Sequence, residues 1–185
     1  VSTTAAAYVK DSNVDLNDGS MTVGTEGVIQ ASAKVQSPMI SASAAKVDIS
    51  VAEAHLRADQ SAYISGGSIM TNGTVTLYSW QNKGLGTTGA VAALGNNTGG
   101  TGVGLIGAAA NVAKAIADAA NQAYVKGSNL GSAEQRNGNL VIWAEANSYA
   151  KAGFINNDLN ISGVSLGILN MTAEAKGIFK AYLDS

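Results

Sequence analysis

Tyr8-Val9-Lys10-Asp11-Ser12-Asn13-Val14 and Tyr124-Val125-Lys126-Gly127-Ser128-Asn129-Leu130 are two copies of one sequence motif. A third copy, Tyr63-Ile64-Ser65-Gly66-Gly67-Ser68-Ile69, keeps the tyrosine, the aliphatic residues and a glycine turn, and a fourth begins at Tyr182. Each tyrosine follows an alanine, and the intervals between them are 55 (63 − 8), 61 (124 − 63) and 58 (182 − 124) residues. A repeat of this length predicts stacked units, none of which can bury its apolar face alone.

The motif divides the chain into repeat units at residues 1–61, 62–122 and 123–180, with the start of a fourth unit at 181–185. This division is expected of a fragment of a longer array. The second unit contains a segment rich in glycine and alanine at 84–122. We expect the repeat tyrosines to stack on one another as part of the structure: Tyr8, Tyr63, Tyr124 and Tyr182.

The composition predicts a thin core. The chain is 46% hydrophobic but only 5% aromatic and 13% charged, and much of its apolar content is alanine. Small side chains fill an interior only where two backbone layers approach closely. The net charge of −2 comes from scattered residues, which gives no basic face for nucleic acid. The chain has no cysteine, so disulfides and thiolate sites are excluded, and no apolar run reaches the roughly 18 residues of a membrane helix.

Alternation of period two is the strongest local signal. Small or apolar residues occupy every second position from Leu140 to Ala152, and Trp143 and Tyr149 fall on the opposite side. We therefore predict one strand with a small-residue inner face over this stretch. Ala52 to Ala58 alternates in the same way, with His55 among the charged residues on its outer side.

Two further landmarks recur along the chain. Asn72-Gly73 and Asn137-Gly138 are turn sequences that each precede a strand about ten residues after a repeat tyrosine. A set of Ala-x-Ala sequences precedes each following tyrosine, and we expect its members to be equivalent positions: Ala52-Glu53-Ala54, Ala117-Asp118-Ala119 and Ala173-Glu174-Ala175.

The segment 105–121 has two interpretations. Val112, Ile116 and Ala120 have helical spacing, which favours a short helix. The segment also occupies the same place in its unit as the alternating stretch Ala52 to Ala58, and stacked units must share a backbone shape. We favour a strand, and the helix stays open as the alternative.

Short strands, turns of Gly, Asn and Asp, and the repeat together predict an all-β fold, a parallel β-solenoid with roughly three coils in each unit. In such a stack each strand bonds to its equivalent in the next coil, at about 4.8 Å spacing. Exposed edges at either end would favour self-association.

The Ala-Tyr-aliphatic motif, the Asn-Gly turns, the Ala-x-Ala runs and the segment Gly102 to Val112 resemble repeats of large secreted bacterial adhesins. These are the filamentous haemagglutinin-like and leukotoxin-type adhesins, many of them exported by two-partner secretion. The resemblance implies a right-handed parallel β-helix shaft at the bacterial cell surface or outside the cell. It also implies roles in adhesion, cell contact or biofilm matrix. The family's secretion domain and receptor-binding regions are not recognisable here.

Catalytic groups are sparse, so we expect neither an enzyme nor a cofactor. The only histidine, His55, has Glu53 as a neighbour but no nucleophile in view. Asp11, Asp15 and Asp18 are the closest group of acids, which leaves a weak Ca²⁺ site or a solvated turn. Gly84 to Gly89 fits G-x-G-x-x-G formally but lacks the strand, helix and distal acid of a dinucleotide site.

Four aromatic residues are predicted on outward strand faces: Tyr78, Trp80, Trp143 and Tyr149. Such residues could pack against a neighbouring filament or contact a ligand. The leading functional hypothesis is a shaft segment of an extracellular fibre. The alternatives are a module that binds glycans or a host surface through its aromatic and threonine face, and a β-helix enzyme acting on polysaccharide.

Overall fold

The chain is an all-β protein. Its computed structural model describes residues 1–36, 41–42, 44–85, 91–97, 102–132, 138–156 and 160–184, and these residues contain strands but no helix. The strands are β1 Ser2–Lys10, β2 Asn13–Asp15, β3 Met21–Gly27, β4 Ala31–Gln36, β5 Ser41–Ala42, β6 Ala45–Ser65, β7 Ser68–Met70, β8 Thr74–Gln81, β9 Val91–Asn97, β10 Gly102–Lys126, β11 Asn129–Leu130, β12 Asn139–Ala146, β13 Ala150–Asn156 and β14 Asn160–Asp184. No helix in these ranges could therefore cross a membrane. The predicted all-β class is confirmed.

The strands in the described ranges form four parallel sheets. The long sheet has the order β1-β6-β10-β14, with β5 also beside β10. The short sheet contains β2, β7 and β11, the aromatic sheet β3, β8 and β12, and the fourth sheet β4, β9 and β13. From one tyrosine motif to the next, the chain adds a strand to the short, aromatic, fourth and long sheets in turn.

One repeat unit is therefore one pass through four sheets. The expectation of three coils in each unit is wrong, because the strands of one unit pair with the equivalent strands of the next unit and not with one another. The long-sheet strand β10 alone has 25 residues. One pass through all four sheets therefore uses the full length of a repeat unit. The predicted unit boundaries, at 61/62, 122/123 and 180/181, lie inside β6, β10 and β14.

The alternative of a helix at 105–121 is wrong, because β10 is extended from Gly102 to Lys126. Residues four apart also share one face of a strand, since four is a multiple of two. Val112, Ile116 and Ala120 accordingly lie together on the outward face of β10, although their spacing suggested a helix. The intervening residues decide the matter, because alanine at every other position is buried.

A constant register holds the long sheet together. Tyr8, Tyr63, Tyr124 and Tyr182 are mutual pairing partners in successive strands. This register shows that the Ala-x-Ala sequences are not equivalent positions. Ala117-Asp118-Ala119 pairs with Leu56-Arg57-Ala58, whereas Ala52-Glu53-Ala54 pairs with Ala113-Lys114-Ala115. The Ala-x-Ala pattern occurs several times along each long strand, so it cannot define the register.

The core lies between the inner face of the long sheet and the facing sheets. One cluster joins Ala62, Ile64, Ala123 and Val125 of the long strands to residues of the aromatic and short sheets. The second joins Ala54, Leu56, Ala115 and Ala117 to Ala31 of the fourth sheet. The predicted alternation over Ala52 to Ala58 is confirmed, since all four inward residues of that stretch are buried. Alanine at most inward positions keeps the two layers close.

The long strands β1, β6 and β10 are each followed by a residue with positive φ. Asp11, Gly66 and Gly127 follow the strands β1, β6 and β10, and all three have positive φ, at 49°, 69° and 54°. Glycine adopts this conformation without steric cost, and aspartate tolerates it better than most residues. The turn continues the stack, because the amide of Asp11 donates to the carbonyl of Ser65 at 2.8 Å and that of Gly66 donates to Lys126 at 3.0 Å.

The thin core predicts that a large side chain will be tolerated on only one face of β10. Ala123→Leu places three extra carbons in a buried position and should lower the free energy of unfolding by about 1–3 kcal/mol. Ala120→Leu makes the same change on the outward face and should leave it nearly unchanged. Urea unfolding followed by circular dichroism measures both. Equal losses from the two variants would contradict the assignment of inner and outer faces.

Candidate functional site

Three aromatic side chains meet on the outer surface of the aromatic sheet. In β8, burial of Val75, Leu77, Ser79 and Gln81 turns the side chains between them outward. Tyr78 and Trp80 therefore lie on one face, two residues apart. In the adjacent strand β12, Trp143 pairs with Tyr78. We call Tyr78, Trp80 and Trp143 the aromatic cluster.

Buried polar contacts hold the strands below the aromatic cluster. Asn121 on the long strand β10 donates from Nδ2 to the carbonyl of Ser79 at 2.9 Å and to that of Glu145 at 2.6 Å. Its Oδ1 accepts from the Ser79 hydroxyl, which also contacts the Thr25 hydroxyl at 2.9 Å. One inward asparagine thus fixes β8 and β12 from behind. Its inward position in the alternation of β10 was the available sequence signal, and sequence reasoning did not use it.

The rings of the aromatic cluster form a corner. Tyr78 stacks on Trp80 with centroids 4.1 Å apart and planes 29° apart. Trp143 stands nearly perpendicular to Trp80, at 79° and 5.7 Å. Tyr78 extends over Gly24 of β3, where a Cβ atom would lie only 2.2 Å from Cζ of the ring. Glycine at this position therefore leaves the space that the Tyr78 ring occupies.

A lysine occupies the corner between the two indoles. Nζ of Lys83 lies over both rings, 3.3 Å from the Trp80 centroid and 4.3 Å from that of Trp143. It is also 3.7 Å from a carboxylate oxygen of Glu145, the residue that pairs with Trp80. Lys83 follows Asn82, which has φ of 53° and starts a turn closed by a bond from the Leu85 amide to its carbonyl at 3.2 Å. Sequence reasoning missed Lys83, because the direction of its side chain depends on this turn.

The aromatic cluster is only partly covered. The Trp143 side chain is on the surface, with the residue 48% exposed. Trp80 lies deeper, and its Nε1 is buried with no hydrogen-bond acceptor among the described residues. The cluster therefore combines an exposed indole with a more deeply placed one, both facing the same ammonium group.

Tyr149 is not part of this surface. The predicted single strand over Leu140 to Ala152 is broken, since β12 ends at Ala146 and β13 begins at Ala150. The break changes the direction of the side chains, and Tyr149 packs against the second core cluster beside Ala150 and Ala152. The prediction that it lies on the outward aromatic face is wrong, because alternation does not continue through the break between two strands.

The repeat tyrosines form a stacked column on the outer face of the long sheet. Successive centroids are 5.2, 5.1 and 5.0 Å apart from Tyr8 to Tyr182, with planes within 11° of parallel. Burial raises the pKa of Tyr124, and charge repulsion from ionised Tyr182 and Tyr63 raises it further. The spacing matches the distance between neighbouring strands, so the register itself places ring over ring.

The candidate catalytic and metal-binding residues are dispersed. His55 is exposed on the outward face of β6. Asp15 accepts a bond from the Asn17 backbone amide in its own turn at 3.2 Å, and Asp18 accepts one from the Asn72 side chain of the next pass at 2.8 Å. Within the described ranges, no three histidine or acidic side chains come together as metal ligands. The motif at Gly84 to Gly89 lies largely outside the described residues.

Comparison with known proteins gives no relative. No family model matches the chain, no curated protein matches it, and no solved structure matches its fold.

The raised pKa of Tyr124 predicts a pH dependence of stability. Its folded-state pKa lies above the ordinary value of 10.0, so the neutral phenol contributes stability below pH 10. That contribution is lost as the pH rises through the folded-state pKa. The difference in phenolate absorbance between the native protein and Tyr124→Phe should therefore titrate above pH 10. The same difference measured in denaturant should titrate lower, and coincident curves would contradict the prediction.

Proposed function

We propose that this chain is a shaft segment of a long extracellular fibre of the filamentous haemagglutinin type. In this proposal the four sheets close into a right-handed parallel β-solenoid, and each repeat unit supplies one coil. In this role the shaft is a rigid spacer that displays its outer surface. It needs neither catalysis nor a cofactor. The bacterial cell surface is the proposed location.

The in-register pairing of three successive passes carries the proposal. Equivalent residues pair in the long, aromatic and fourth sheets, and a residue with positive φ follows each of the strands β1, β6 and β10. A structure that adds one strand to every sheet with each repeat grows in a single direction. Such growth yields a rod whose length follows the number of repeats.

The exposed edge at β14 supports growth by further coils. Leu183 pairs with Val125, which is 0% exposed, yet Leu183 itself is 58% exposed. Met171 and Phe179 also pair with buried residues and are exposed. Apolar inner-face side chains at an open strand edge favour the addition of another strand in the same register.

The adhesin assignment rests on the resemblance of the repeat motifs described above. The composition agrees with it, because a low charge and an alanine-rich interior suit a structure stabilised by main-chain hydrogen bonds along its axis. Roles in adhesion, cell contact or biofilm matrix follow from that assignment as part of the proposal.

A second candidate function is binding of a glycan or host surface by the aromatic cluster. The exposure of Trp143 beside a deeper Trp80 favours it, since exposed indoles are common contact residues. Changing Trp80 and Trp143 together to alanine should abolish any signal that the protein gives on a glycan array. A signal that survives the double change would contradict this candidate.

The shaft proposal predicts end-to-end association through β14. Leu183→Lys places a charge on the inner face of the open edge and should shorten the rods seen by electron microscopy. Ile178→Lys is the matched control, because Ile178 is 55% exposed on the outward face of the same strand. It should leave the rod length unchanged, since a lysine on the outward face stays in contact with solvent when another strand is added.

Two results would contradict the shaft proposal. One is a compact particle of the unmodified protein in place of a thin rod of constant width. The other is equal shortening by the two variants, which would indicate a general effect of charge. Circular dichroism of both variants shows whether the β-structure is retained.

A further inference from the structure

We propose that the aromatic cluster, together with Glu145, is a binding site for a trimethylammonium group, and that Lys83 fills this site as an internal cation. The proposal is independent of the shaft function, because it rests on the geometry of one corner of the surface. The ligand class is a quaternary ammonium, either free as choline or carried by a choline-containing lipid headgroup.

The two indoles provide cation-binding walls. The face of an aromatic ring carries negative electrostatic potential, and tryptophan binds cations best among the aromatic residues. Because Trp80 and Trp143 are 79° apart, one cation can lie over both faces at once. Nζ of Lys83 does so, at 3.3 and 4.3 Å from the two centroids. The chain's own ammonium thus marks where a ligand cation would bind.

Carboxylates provide the remaining attraction. Glu145 lies 3.7 Å from the Lys83 ammonium, and the exposed Glu26 pairs with Trp80 from the other side, on β3. When Lys83 leaves, the Glu145 carboxylate remains at the corner and Glu26 remains on the strand next to Trp80. The vacated corner would therefore attract a cation more strongly than a neutral ligand of the same shape.

The lysine is a displaceable occupant. Its distance to Glu145 is longer than a hydrogen bond, so charge and the ring faces hold the ammonium there. A lysine ammonium is compact and strongly hydrated, which opposes its placement against indoles. A trimethylammonium group has no N–H donors to satisfy and presents methyl groups to the rings. Trp143 is exposed, so the wall that it forms is packed against protein on one side only.

The same geometry distinguishes this site from a sugar platform. A sugar ring stacks on a flat aromatic face, whereas here the second indole stands across the first and the cation lies between them. Tyr78 stacks against Trp80 and supports that wall of the corner. The corner therefore suits a rounded cation better than a flat ring.

The test is a titration of choline against the native protein and Lys83→Ala, followed by tryptophan fluorescence. Lys83→Ala should bind choline about threefold to thirtyfold more tightly than the native protein, because no internal cation has to be displaced. Lys114→Ala is the matched control, since Lys114 pairs with Glu53 at 3.3 Å on the long sheet and is far along the chain from the corner. It should bind choline as the native protein does.

The neutral isostere 3,3-dimethylbutanol isolates the role of charge. It should bind Lys83→Ala at least about threefold more weakly than choline does. Trp143→Ala in the Lys83→Ala background should remove choline binding, and circular dichroism checks that this variant stays folded. Absence of choline binding by Lys83→Ala, or equal binding of the isostere, would overturn the proposal, as would glycan binding with no response to choline.

Vesicles separate the two sources of the ligand group. Binding of Lys83→Ala to phosphatidylcholine vesicles, and not to phosphatidylglycerol vesicles, would support the lipid headgroup as the ligand. Binding of free choline without binding to vesicles would support a soluble ligand.

Discussion

Parallel pairing of equivalent residues in successive repeats is the constraint on which the structure depends. A strand that slipped by one residue would turn every inward side chain outward. In the long sheet that slip would expose alanines such as Ala115 and Ala117 and bury the charged Lys114 and Asp118. The tyrosine column and the positive-φ turns recur at one register, so both oppose the slip.

A thin alanine core limits how much the burial of apolar side chains can stabilise the fold. Hydrogen bonds from buried asparagine side chains supply part of the stabilisation instead. Asn82 accepts from the Ile29 amide at 2.7 Å and donates to the carbonyls of Ile29 and Asn147, at 3.1 and 3.4 Å. These partners belong to the passes on either side of it. Asn121 connects the long and aromatic sheets in the same manner. Each satisfied amide fixes a corner that small apolar side chains cannot define.

Sequence alone predicted the β class, the repeat and the faces of the strands, because these follow from period-two alternation and from one repeated tyrosine. It failed where turns decide the outcome. Tyr149 was assigned by extending alternation through a break after Ala146, and the corner lysine, Lys83, follows a positive-φ asparagine. The number of coils in each unit was wrong for a related reason, since pairing between distant equivalent strands leaves no local signal.

Residue types at an outward position of the aromatic sheet differ from pass to pass, whereas the inward position beside it stays apolar. In the aromatic sheet, Gly24, Tyr78 and Trp143 occupy one register position in three successive passes, while Val23, Leu77 and Ile142 keep the neighbouring inward position apolar. A glycine in one pass leaves room for the ring in the next, and the third pass adds a perpendicular indole. A repeat stack can therefore acquire a single specialised corner without disturbing its core, which makes a structural shaft and a local binding site compatible in one chain.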